Sequence, residues 1–134
     1  MTLALDTTAL VGRYLTGPHR AVVLDAMADD PVWCASALAL AEALPLVDRV
    51  APTPTDADRL RRALRDDWER IHSVPVDPIC LDRAAELARE QPLRTVDALH
   101  LAAADRLPPP VRFVTFDPRQ IPVALALGLE VVST

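Results

Sequence analysis

"VRFVTFDPR", residues 111–119, sets the fold class. Val, Phe and Thr make up five of the six residues 111–116, Arg112 being the sixth, a run of the kind that makes a buried strand, and Asp117-Pro118 ends it abruptly. Aspartate before proline is also a strong helix start: the carboxylate caps free backbone N–H groups and the proline ring is pre-set for the first helical position. A strand, then an acid, then a helix is half of a βαβ unit. "LALDTTALV", residues 3–11, has the same order, with a candidate strand at 3–5, Asp6 directly after it, and a helix through "TTALVGRYLTG" that stops near Gly17.

Between these two stretches, short apolar runs alternate with longer helical patterns, the signature of a parallel sheet with crossover helices. "HRAVVLDAMADD" predicts a helix that begins after Pro18 and ends before Pro31. "VWCA", 32–35, predicts a second strand, and Ser36 is placed to cap the helix containing Glu42. The charged segment 52–73 carries Leu60, Ala63, Leu64, Trp68 and Ile71 at helical spacing and predicts a largely exposed amphipathic helix. "VPV", 74–76, predicts a short strand, "PICLDRAAELAREQ" a helix ended by Pro92, and "TVDALHLAAADRL" a helix stopped by the prolines at 108–110. "PRQIPVALALG" predicts a short helix closed by Gly128, and "EVVS" the last strand. With no linker, repeat or low-complexity tract, residues 1–134 read as a single α/β domain around a parallel sheet.

Composition narrows the function. The chain has 134 residues, 51% hydrophobic and 25% charged, which is enough for a real core. Only 4% are aromatic, few for stacking on bases, and the net charge of -5 argues against a broadly basic nucleic-acid surface. All 14 basic residues are arginines. The absence of lysine excludes Schiff-base and P-loop chemistry, while arginine is the side chain suited to gripping phosphate. Cys34 and Cys80 are isolated among apolar residues and read as buried free thiols. The start of the chain lacks a signal-peptide pattern, and no apolar run is long enough to span a membrane, so the expected compartment is the cytoplasm.

Four carboxylates fall where such a sheet would gather them. Asp6 and Asp117 follow strands, at the carboxyl rim where open α/β sheets hold ligands. Asp97 lies in the first turn of a helix that should start at that same rim. Each of these also has a purely structural reading, as a helix cap or a charge favoured by the macrodipole. For Glu42 a cap explanation fails, and its structural reading is a solvent-facing stripe on an Ala-rich helix: it is the lone charge in "ASALALAEALPLV", 35–47, with Leu38 and Leu46 one turn away. Pro45 weakens its placement, because an interior proline removes a helical hydrogen bond, so the helix should kink there or end near Leu44. Clustered carboxylates repel unless cations intervene, and hard oxygen ligands suit Mg²⁺ or Mn²⁺. Such ions activate water and stabilise charge at phosphorus, which implies phosphodiester hydrolysis. His100, three residues after Asp97, reads better as a hydrogen-bonded structural histidine than as a ligand.

With these pieces in view, "LALDTTALV", "SALALAEAL", "RTVDALHLAAA" and "FVTFDPR" together resemble a PIN domain, specifically the VapC-type toxin of a type II toxin–antitoxin pair. The resemblance implies a three-layer α/β/α fold with four to five parallel strands and a metal-dependent endoribonuclease using one or two Mg²⁺ or Mn²⁺ ions. It carries over Asp6, Glu42, Asp97 and Asp117 as the acidic site and Thr115 as a hydroxyl orienting the metal or its water; with Pro45 so near, Glu42 is favoured as a water-bridged ligand before a direct one. It further implies a homodimer held inactive by a VapB-type antitoxin that lays a basic side chain into the pocket. Arg13, Arg94, Arg112 and Arg119 are the candidates for RNA backbone contacts, Arg119 first because it sits two residues after Asp117. A receiver domain would need a lysine, and a haloacid-dehalogenase-like phosphatase would need an acid where Thr8 stands. The remaining rival is a catalytically silent PIN-like module whose acids serve as caps and whose surface holds a partner.

Overall fold

The computed structural model describes residues 1–134. Five parallel strands, β1 (Thr2–Leu5), β2 (Val32–Ser36), β3 (His72–Val74), β4 (Val111–Val114) and β5 (Glu130–Val132), form one sheet in the order β3-β2-β1-β4-β5. The helices between them are α1 (Thr7–Gly12), α2 (Pro18–Asp29), α3 (Ala37–Val50), α4 (Pro54–Trp68), α5 (Pro78–Glu90), α6 (Thr95–Asp105) and α7 (Ile121–Ala126). The pleat divides the core. Leu3, Leu5, Ala35 and Val114 pack against α1 to α4, while Ala4, Val111 and Phe113 pack against α5 to α7. This is the expected three-layer α/β/α arrangement.

Local chemistry sets the helix starts. Asp6, Ser36, Thr53 and Asp77 each accept a backbone N–H of the first turn, from Ala9, Leu38, Asp56 and Cys80. Pro18, Pro54 and Pro78 occupy first helical positions, where the missing N–H costs nothing. On α3 the stripe Ala39, Ala43 and Val47 is fully buried, leaving Glu42 on its half-buried flank. Helix α6 is buried on every side from Asp97 to Ala104, because it lies between the sheet and α5.

Several boundaries differ from expectation. Strand β4 ends at Val114, not Phe116, so Asp117 lies in the loop beyond the strand rather than directly after it. Helix α1 stops at Gly12, not near Gly17, and the chain leaves it where Arg13 and Tyr14 both bond Asp67 of α4. A side chain on Gly12 would meet the Phe116 ring at 3.3 Å, a tight contact that glycine avoids. Strand β3 covers 72–74 instead of 74–76, since Pro75 cannot donate to the ladder. Helix α7 begins at Ile121 because Asp117 Oδ1 accepts from Arg119 N in a local turn instead of capping a helix at Pro118. Of the two alternatives for α3, an end near Leu44 is excluded, because the helix runs through Pro45 to Val50. Pro45 and Ala41, whose carbonyl loses its partner, are both exposed, so water can take the missing bond.

Candidate active site

Strand register builds the first half of the site. Leu5 pairs with Val114, which places the residues that follow them side by side at the carboxyl rim, and Asp6 N donates to Val114 O at 3.3 Å. Asp6, fully buried, divides its oxygens between two jobs. Oδ1 caps α1, accepting from Ala9 N at 2.8 Å and Thr8 Oγ1 at 2.7 Å. Oδ2 accepts from Thr115 Oγ1 at 2.6 Å and Gln120 Nε2 at 3.2 Å. The cap and the site thus use opposite oxygens of one carboxylate. Burial pushes the Asp6 carboxyl up from its ordinary value, and the Thr115, Ala9 and Thr8 hydrogen bonds recover only part of that shift.

Asp97 enters from the N-terminus of α6. Gln120 Nε2 donates to its Oδ1 at 3.3 Å while also holding Asp6, so one amide bridges the two aspartates. Arg94 grips Asp97 with Nε on Oδ2 and Nη2 on Oδ1, both at 3.0 Å, and the same Nη2 lies 3.4 Å from Asp117 Oδ2. Burial drives the Asp97 carboxyl up, but the Arg94 bonds outweigh it and hold the group below the ordinary range. Asp117 is buried in turn, with Arg119 Nε 3.3 Å from its Oδ1. Asp6, Asp97 and Asp117, from three separate elements, therefore form one connected network.

Glu42 stands at its edge. Its Oε1 accepts from Thr7 Oγ1 at 2.6 Å and lies 2.7 Å from His100 Nε2, but no hydrogen bond joins it to the aspartates. The His100 bond, helped by Thr7 and opposed by partial burial, holds the Glu42 carboxyl below its ordinary value. His100 is the hydrogen-bonded histidine expected from the sequence, buried on α6.

Of the four arginines, the structure brings two to the acids: Arg94 and Arg119, whose side chains are more than half exposed. It does not bring the others. Arg13 bonds Asp67 at 2.9 Å beyond the far end of α1, and Arg112, near the start of β4, pairs with Asp30 and Glu130 at the opposite rim of the sheet. The sequence reading passed over Thr7 and Gln120. Thr7 had a signal, since it follows Asp6 directly; Gln120 had none, being a lone amide in a proline-flanked turn.

The donor set suits a hard cation: around the aspartates every acceptor is oxygen, and both cysteines are buried free thiols elsewhere. No three acids or histidines stand at ready-made ligand spacing, however, because Gln120 and Arg94 lie between the carboxylates.

The PIN domain profile matches residues 3–127. The chain belongs to the PIN domain family. No curated protein matches the sequence. Among solved structures, this PIN domain is similar to VapBC2 from Rickettsia felis bound to a DNA fragment from their promoter, at a TM-score of 0.70 and 18% identity over 99% of this chain and 98% of that one. It is similar to FitAcB from Neisseria gonorrhoeae, at 0.70 and 17% over 97% and 96%. A third is VapC20 from Mycobacterium tuberculosis, described as a sarcin-ricin loop cleaving toxin, at 0.60 and 20% over 75% and 78%. At these identities the likeness is one of fold. No helix is long and apolar enough to cross a membrane.

Proposed function

We propose that this PIN domain is the VapC-type toxin of a type II toxin–antitoxin pair, an endoribonuclease that hydrolyses RNA phosphodiester bonds with Mg²⁺ or Mn²⁺. The observation that carries the reading is the network of Asp6, Asp97 and Asp117, three buried carboxylates from three elements sharing donors at the carboxyl rim. Buried carboxylates this close need cations to stay ionised together. Asp6, Asp97 and Asp117 would hold one or two ions, with Glu42 reaching them through water. A divalent ion held there would supply water activation and a counter-charge for the negative charge that develops at phosphorus.

The chain's own residues do the positioning. Thr115 fixes Asp6 Oδ2, Thr8 and the first turn of α1 fix Oδ1, and Thr7 with His100 fixes Glu42. Arg94 and Arg119, exposed beside the acids, are the side chains available for the RNA backbone. The likeness in fold to proteins solved as toxin–antitoxin complexes supports a VapB-type antitoxin as the partner. A homodimer fits the exposed Ile79 and Leu81 on α5 and Leu125 on α7, all on helices of one layer.

Purified protein is expected to cleave a pool of cellular RNA with Mg²⁺ or Mn²⁺ and to stop with EDTA. Asp97→Asn is expected to lower the cleavage rate by at least about 100-fold. Unchanged cleavage by that variant overturns the site assignment. RNA retention without cleavage by the wild type favours the silent binding module.

A further inference from the structure

Asp97 is saturated. A carboxylate offers about four acceptor directions, two per oxygen. On Oδ1 they are taken by Arg94 Nη2 and Gln120 Nε2, and on Oδ2 by Arg94 Nε and the Arg94 backbone N–H. A cation that binds Asp97 directly must displace one of these donors. The four are not equally removable. Gln120 is 2% exposed and also tied to Asp6. The backbone N–H is fixed at the N-cap position of α6 and cannot swing away. The Arg94 side chain is 59% exposed against 1% for Asp97 and reaches the pocket from solvent on a flexible stem. It is also the one group that spans Asp97 and Asp117.

We propose that the Arg94 guanidinium is a built-in stand-in for the divalent ion: it holds Asp97 and Asp117 in the metal-free protein and must swing off Asp97 when the ion binds. The exchange keeps two buried carboxylates neutralised in both states. It also delivers a freed guanidinium at the pocket mouth, where an anionic substrate can take it. This inference rests on the metal-site reading above.

The test uses the intact wild type with Arg94→Ala, Arg94→Lys and Asp97→Asn. Mg²⁺ binding is followed by calorimetry, and the Arg94 side chain by its Nε–H resonance in isotope-labelled protein, assigned by its loss in Arg94→Lys. Arg94→Ala is expected to bind Mg²⁺ about fivefold more tightly than wild type, the worth of a largely exposed ion pair. The wild-type Arg94 resonance is expected to move to the position of solvated arginine with the same midpoint as metal binding, and Asp97→Asn to lose the response. Metal binding to the wild type without movement of that resonance overturns the proposal, as does equal or weaker binding by a folded Arg94→Ala. Should Arg94→Ala fail to fold, the wild-type resonance alone decides. If neither wild type nor Arg94→Ala binds Mg²⁺ or Mn²⁺, the metal-site reading falls and takes this inference with it.

Discussion

Gln120 shows how much one buried side chain can decide. Its amide is the shared donor between Asp6 and Asp97, and no protein group donates to its own Oε1. Gln120→Glu exchanges the donor for a further acceptor against buried Asp6. We expect it to destabilise the fold by about 3 kcal/mol at neutral pH, as for an uncompensated buried charge. Thermal unfolding should show that loss, and added Mn²⁺ should recover part of it. A midpoint unaffected by the substitution would mean that the amide holds nothing.

At the scale of elements, two contacts carry testable weight. Pro45 sits inside α3, where the Ala41 carbonyl lacks its partner. Pro45→Ala restores the N–H, and we expect a gain of about 1 kcal/mol in urea denaturation, less than the full cost of an interior proline because solvent already serves the free carbonyl. The α1 end is fastened to α4 by Asp67, which accepts from Arg13 Nε at 2.9 Å, from Tyr14 O–H at 2.6 Å and from Arg70. Burial raises the Asp67 carboxyl, but these three donors outweigh it and leave the group below its ordinary value of 3.8. A depressed folded-state value means that the stabilisation is complete above about pH 4 and is lost as the pH falls further, through the folded value. Asp67→Asn should therefore cost about 2 kcal/mol at pH 7 and flatten the wild-type loss of stability on the acid side of pH 4, read from urea midpoints at pH 7 and pH 3.

For the whole molecule, the exposed Ile79, Leu81 and Leu125 bear on assembly. Light scattering should report a dimer for the wild type, and Ile79→Asp with Leu81→Asp should yield a folded monomer; a wild-type monomer at high concentration removes the dimer from the functional reading. The sequence by itself determined the element types and the parallel sheet, because these rest on local physics: caps at Asp6 and Ser36, prolines at helix boundaries, and short apolar runs. It also brought out the four acids, since strand ends and a lone charge in an apolar helix are visible in one dimension. The tertiary structure alone decided the partners. That Gln120 bridges Asp6 and Asp97, that Thr7 and His100 hold Glu42, and that Arg94 reaches the acids while Arg112 lies at the other rim all depend on strand order and register. Those long-range pairings join residues as much as 114 positions apart, and nothing in a local stretch of chain encodes which side chain will meet which across a sheet.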